Sequence, residues 1–316
     1  ADGHQVSLVV LEGHAGSSPA VRLALPIEQV VLPVARPAKL GRCPGLANAL
    51  RRLPRPDVYH VHGSWHMALS DAVTVAREQR VPVVLELMGS YSAYELARKP
   101  VRKWLARRLY QDATIAAVDC IHANSQPEAD QMRRLGFKNP IAVIPVGTDV
   151  RSAPSPVVND DLLEPAWSGR RWVMLKRDDW RLLIAGHGEP DYVEELKQQA
   201  IRLGVMNQCR FTGPVSAAQK DWAYANADGY ILPSRQENFG NTVAEALAQG
   251  CTVGTTTGTP WRELEENGCG WVEDPTVTGI ASLLRRMGAT GQQEMREMGQ
   301  RGRALVADRY SLPAVH

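Results

Sequence analysis

The sequence predicts an α/β chain built as two doubly wound domains with parallel sheets, and three observations carry that reading. Short β-rich apolar runs alternate with longer stretches whose apolar residues recur at helical spacing, a rhythm that requires parallel strands with crossover helices. The rhythm breaks once, at RSAPSPVVNDDLLEPAWSG after residue 150, a Pro- and Ser-rich stretch that reads as a linker. The length of 316 residues also exceeds the roughly 250–300 at which single cores stop growing.

In the first half, VSLVVL (6–11), VYHVH (58–62), VPVVLEL (81–87), IHANS (121–125) and IAVIPV (141–146) are read as strands. DAVTVAREQR, VRKWLARRLYQDATIAAV and PEADQMRRLG are the helices between them. In the second half the strands WRLLIAG, CRFTGP, GYILPS and CTVGTTT alternate with the helices DYVEELKQQAIRLG, SAAQKDWAYANA and NTVAEALAQG. The expected domains are 1–150 and 151–316. Ligands of such sheets bind at the carboxyl ends of strands, so the site is expected in the cleft between the domains.

A hydrophobic share of 44% and a charged share of 22% exclude collagen-like, coiled-coil and wholly disordered chains. No run of about 18 apolar residues and no secretion signal is visible, so a cytoplasmic protein is expected. Five scattered cysteines without a C-x-x-C pair argue against a disulfide framework or a cysteine zinc site. Residues 1–150 carry 18 Lys/Arg against 13 Asp/Glu and the rest 18 against 21, so the first half is the one expected to meet an anionic surface. Arg98, Lys99, Arg102, Lys103, Arg107 and Arg108 interleave with Val101, Trp104, Leu105, Leu109 and Tyr110. Such a segment either lies on an anionic membrane leaflet or is a solvated face whose apolar stripe belongs to the core. No nucleic-acid-binding module accompanies it, so no nucleic acid is expected as a partner.

The stretch Pro233–Leu247 carries the chemistry. The strand GYILPS runs into a polar, glycine-containing loop that opens an amphipathic helix, and a helix start offers unpaired N–H groups and a positive dipole end to a phosphate. Glu237 in the loop and Glu245 in the helix flank that anion site. Carboxylates accept hydrogen bonds from sugar hydroxyls but repel phosphates, which suits a nucleotide sugar, whose diphosphate lies between two sugars.

These residues resemble the E-x(7)-E segment of glycosyltransferase family 4, a retaining family with the GT-B fold, in which two Rossmann-like domains face across a cleft. The resemblance continues through WRLLIAGHGEPDYVEELKQQAIRLGV, RFTGPVS and TTTGTPWRELEENGCGWVEDP, and more loosely through PDVYHVHG, HANSQPEADQMRRLGF and IAVIPVGTDV. It implies an acceptor-binding domain over 1–150 and a domain binding a UDP- or GDP-sugar over 151–316, with no permanently bound cofactor or metal. Glu245 would bind the ribose, and Glu237 the transferred sugar, acting at the reacting centre with His62. Asn238, Phe239, Gly240, Asn241 and Thr242 would offer backbone N–H groups to the sugar and diphosphate. Gly186 and Gly188 would let backbone approach the donor, and Gly213, Pro214 and Val215 would receive the base. The family's usual His-Gly pair after the third strand stands here as Met88-Gly89, which with Gly63 is expected to line the acceptor side, and Val146 replaces its usual Asn. His60 and His62 alternate along a strand and would point to one side. Core or cleft histidines, a substrate contact and a metal site are all open to them, but no acidic partner stands at ligand spacing, so no metal is expected.

Between residues 171 and 172 the family has a strand, a loop with an Arg and a Lys, and most of a helix. The sequence is read as omitting that segment, leaving WVMLK as a helix stub. Residue 1 likewise falls where a first strand and its glycine-rich turn would already have passed, and the chain stops at SLPAVH before a final helix. The expected activity is transfer of a sugar, with retention, to a hydroxyl of a lipid-linked, lipopolysaccharide or exopolysaccharide acceptor, at the inner face of the plasma membrane. A nucleotide-sugar 2-epimerase of the same fold and a catalytically degenerate nucleotide-sugar-binding protein are the alternatives.

Overall fold

The computed structural model describes residues 3–13, 27–150, 171–172 and 180–315. Contacts divide the chain after Ile144 into two units. Residues 145–150 go with the second because the Thr148 N–H donates to the Tyr310 carbonyl (2.7 Å) and the Leu312 N–H to the Thr148 carbonyl (3.1 Å).

The first unit runs β1 (Ser7–Glu12), β2 (Glu28–Pro33), α1 (Leu46–Arg52), β3 (Tyr59–His62), α2 (Met67–Glu78), β4 (Val83–Glu86) and α3 (Ala93–Ala97). It continues through α4 (Pro100–Ala106), α5 (Asp112–Ala116), β5 (Cys120–Ala123), α6 (Gln126–Arg134) and β6 (Ile141–Val143). Strands β3, β4, β5 and β6 pair in that order, all parallel, while β1 and β2 form a separate parallel pair. The central strand β4 is apolar over three of its four residues, the pattern of a strand covered on both faces. One core gathers Val83, Leu85, Ile115, Ile121 and Met132, and a second gathers Cys43, Leu46, Leu50, Ala72 and Val75.

The second unit runs β7 (Arg171–Trp172), β8 (Trp180–Ala185), α7 (Pro190–Arg202), β9 (Cys209–Gly213), α8 (Ala217–Asn226), β10 (Tyr230–Leu232) and α9 (Asn241–Ala248). Then follow β11 (Val253–Thr256), α10 (Glu263–Glu266), β12 (Gly270–Glu273), α11 (Val277–Ala289), α12 (Gln292–Arg309) and α13 (Leu312–Val315). The parallel triplets β7-β8-β9 and β10-β11-β12 are its sheets. Helix α9 is buried along Val243, Ala244, Ala246, Leu247 and Ala248, which pack with Val253, Leu264, Leu305 and Val306. That packing fixes the helix start on which the candidate site depends.

Several expectations meet a different outcome. Trp172 lies in strand β7, paired with Arg181, and not in a helix stub; residues 173–179 and the linker 151–170 lie outside the described residues. The single helix read over 101–118 is interrupted by a π-helical turn at Arg107–Gln111, between α4 and α5. Cys43, Cys251 and Cys269 are buried thiols, Cys120 and Cys209 are half-buried, and all five are unpaired. No helix among the described residues is long and apolar enough to cross a membrane.

Candidate active site

The loop from β10 into α9 is held from both ends. At its close, Gly240 adopts φ +82° at the helix N-cap, a left-handed conformation that costs glycine nothing. Before it, the buried Phe239 ring packs on Trp261 and Tyr310, and Trp261 Nε1 donates to the Phe239 carbonyl at 2.6 Å. At the opening, the Glu237 N–H donates to the Gly258 carbonyl at 2.8 Å, and Thr256 Oγ1 donates to the Ser234 carbonyl. Gly258 approaches so closely that a Cβ there would collide with the Arg235 carbonyl. No side chain caps α9; the Val243 N–H turns back to the Gly240 carbonyl at 2.9 Å, and the N–H groups of Asn241 and Thr242, with the helix dipole, are placed to meet an anion. Asn241 is exposed at this start, with Asn238 and Thr242 half-buried.

Two carboxylates and a phenol converge beside that helix start. Glu237 Oε1 accepts from Ser234 Oγ at 2.7 Å. Glu245 Oε1 accepts from Lys220 Nζ of α8, also at 2.7 Å, while Glu245 Oε2 is buried without a hydrogen-bond partner. The Tyr230 hydroxyl bonds the Thr242 side chain, and its pKa is pushed up to about 12, first by burial and then by the negative charges of Glu245 and Glu237. A buried carboxylate oxygen left unsatisfied is uncommon and calls for a donor. The sequence missed Lys220 and Tyr230. Lys220 lies 25 residues from Glu245, and no local pattern links them. In the sequence Tyr230 stands out only as part of the strand GYILPS.

Gly186, Gly188, Gly213, Pro214 and Val215 gather at the carboxyl ends of β8 and β9. The Gly186 N–H donates to the Gly213 carbonyl at 2.8 Å, Gly188 and Pro214 are exposed, and Val215 is half-buried.

His62, Gly63, Met88 and Gly89 belong to the first unit and gather at the ends of β3 and β4. His62 Nδ1 donates to Glu86 Oε2 at 2.5 Å, and Asn124 Nδ2 donates to Glu86 Oε1 at 2.7 Å. These bonds hold the buried Glu86 carboxyl down to about 2, the His62 bond contributing most. The Gly63 N–H donates to the Glu86 carbonyl at 2.8 Å, and the Gly89 N–H to Glu128 Oε1 at 2.6 Å. Met88, with φ +50°, stands exposed. Desolvation, and then repulsion from His62 and His122, lowers the pKa of His60. The acidic partner missing beside His60 and His62 in the sequence is Glu86, on the neighbouring strand.

Comparison with known proteins decides the family. Residues 1–147 match the profile of the glycosyl transferase 4-like domain, and residues 170–305 match that of glycosyl transferases group 1. The chain belongs to the family 4 type of glycosyltransferases. It is 25% identical over 232 residues to the alpha-monoglucosyldiacylglycerol synthase of Streptococcus pneumoniae, covering 62% of this chain and 51% of that one. The chain thus spans about half the length of that relative. Sucrose-phosphate synthase from Thermosynechococcus elongatus superposes with a TM-score of 0.77 at 15% identity, over 99% of this glycosyltransferase and 87% of the synthase. Anabaena Alr3699/HepE, solved in complex with UDP-glucose, gives 0.69 at 18% identity, over 92% and 84%. At these identities the likeness shows the GT-B fold.

Proposed function

We propose that this glycosyltransferase moves a sugar, with retention, from a UDP- or GDP-sugar to a hydroxyl of a lipid-linked, lipopolysaccharide or exopolysaccharide acceptor. The observation that carries the donor reading is the half-satisfied Glu245 carboxylate one turn inside an uncapped helix. Its free Oε2 accepts a ribose hydroxyl while the N–H groups of 240–242 take the diphosphate, and charge building on the leaving diphosphate is stabilised by groups already in place. Glu237, held by Ser234 and by the Gly258 carbonyl, accepts from hydroxyls of the transferred sugar. Gly186, Gly188 and Gly213–Val215 receive the remainder of the nucleotide. His62, Gly63, Met88 and Gly89 line the acceptor side, with the His62 ring oriented by Glu86. No permanent cofactor enters this reading.

The acceptor reading draws on a surface of the first unit. Val101, Trp104, Leu105 and Leu109 are exposed at 78, 63, 48 and 70%, so the apolar stripe of the basic segment is not core. Exposed apolar residues beside cations suit an anionic leaflet at the inner face of the membrane, and a relative is named as a glucosyldiacylglycerol synthase. Thermal-shift screening against UDP, GDP, ADP and their sugars tests the donor. A shift with one nucleotide and its sugar, followed by transfer to a lipid or glycan hydroxyl with the anomeric configuration kept, supports the proposal. Inversion or absence of any nucleotide shift overturns it. Interconversion without acceptor identifies the 2-epimerase, and binding without turnover identifies a degenerate protein in which Met88 has replaced an essential histidine.

A further inference from the structure

Strand pairing sets His62, Glu86 and His122 side by side in one register row across β3, β4 and β5, and His60 projects from the same face two residues before His62. One ring nitrogen each of His60 and His122 and a Glu86 carboxylate oxygen all lie within 4.8 Å of one another. We propose that these three groups bind one zinc ion at the carboxyl end of this sheet, a site distinct from the donor site on α9.

Four features of the cluster argue for it. First, His60 Nε2 and His122 Nδ1 are 3.3 Å apart; zinc with bonds of about 2.0–2.1 Å to nitrogen sets neighbouring tetrahedral ligands about 3.3–3.4 Å apart. Second, the tautomer is already the ligating one. His122 Nε2 contacts the Ile144 carbonyl at 2.8 Å, which only accepts, so Nε2 carries the proton and Nδ1 presents its lone pair. That lone pair now accepts from His60 Nε2–H; when zinc binds, the exposed His60 ring takes its other neutral tautomer, its one proton exchanging through solvent from Nε2 to Nδ1, so that Nε2 presents a lone pair to the metal. Third, the outer shell is built: the Ile144 carbonyl orients His122, and His62 and Asn124 orient Glu86, the kind of support that metal-ligating histidines and carboxylates receive. Each Glu86 oxygen keeps a second lone pair for the metal. Fourth, Glu86 is buried, His122 half-buried and His60 exposed, which leaves an entry path from the His60 side.

Two imidazoles and one carboxylate select zinc or its first-row neighbours over magnesium or calcium, which take oxygen ligands. Three protein ligands leave a fourth position for water. Binding at this place would also fix the loop that begins at Gly63, since the Gly63 N–H is held by the Glu86 carbonyl.

The test is zinc titration of the chelator-treated full chain by calorimetry, with cobalt substitution read by visible absorption. One equivalent of zinc binds, and cobalt gives the intense bands of a four-coordinate site. His60→Ala, at an exposed position, and His122→Gln each weaken zinc by more than about 100-fold, beyond the roughly 10–100-fold that outer-shell changes cost. His4→Ala, on an exposed residue outside the cluster, leaves the affinity unchanged. Thermal unfolding of metal-free His60→Ala at the wild-type temperature certifies that its loss is not misfolding. Absence of stoichiometric zinc in the wild type, or undiminished zinc in His60→Ala and His122→Gln, overturns the site. Because the donor reading is scored by nucleotide shifts, either conclusion can fail without the other.

Discussion

Glu245→Ala separates the role of this carboxylate in binding from any role in holding the fold. In the free protein its partner is Lys220 at 2.7 Å, with the two side chains 28% and 34% exposed, and an ion pair open to that extent contributes at most about 1 kcal/mol. The other oxygen is buried and unpartnered, so removing it also removes a desolvation cost. Stability without ligand therefore changes by less than about 1 kcal/mol. On the proposed reading the same carboxylate accepts ribose hydroxyls in the nucleotide complex, and a hydrogen bond to a charged group is worth about 1.5–3 kcal/mol, or about 10- to 150-fold in Kd. With nucleotide at about 100 times the wild-type Kd, ligand stabilisation is about 2.7 kcal/mol; a 100-fold loss of affinity leaves about 0.4 kcal/mol. Thermal unfolding with and without nucleotide, supported by calorimetry, reads both quantities. A variant that keeps the wild-type nucleotide shift refutes the ribose assignment, as does one that unfolds several degrees lower with no ligand present. Glu237→Ala follows the opposite pattern: nucleotide affinity is retained while turnover falls, and equal loss of both would reassign it to donor binding.

Further outcomes follow from the same geometry. Gly258→Ala drives a Cβ into the Arg235 carbonyl, so it lowers stability by about 1–3 kcal/mol and displaces the loop carrying Glu237, measured as a lower Tm together with lost turnover. Trp104→Glu with Leu109→Glu, both on exposed residues, leaves the Tm unchanged and abolishes co-sedimentation with vesicles containing phosphatidylglycerol; retained sedimentation removes this segment from the membrane reading. Burial raises the Tyr230 hydroxyl to about 12, and Tyr91 and Tyr224 further, from 10.0. The folded chain thus keeps protons that the unfolded chain releases, so stability holds below about pH 10 and falls as pH rises from there through about 12. Urea midpoints across that range check this, and Tyr91→Phe flattens the decline.

Much of the fold was legible because its determinants are local. The runs at 58–62, 81–87 and 229–234 announced strands through short β-branched and aromatic sequences, and 190–202 announced a helix by periodicity. Strand β2 was not separated from its surroundings because EQVVLP sits among prolines and short apolar runs, where periodicity over a few residues distinguishes little. The π-helical turn at Arg107–Gln111 was invisible for a related reason: a one-residue widening leaves the apolar spacing almost unchanged.

The sequence by itself determined the alternation of strands and helices and the placement of Glu237 and Glu245 on either side of a helix start, since both depend on residues within one or two turns of one another. Only the tertiary structure decided that Lys220 meets Glu245, that Glu86 stands between His62 and His122, and that the stripe from Val101 to Leu109 faces solvent. Those facts depend on which strands and helices lie side by side, and residues 24 to 36 positions apart become neighbours through backbone pairing and burial that no local spacing encodes.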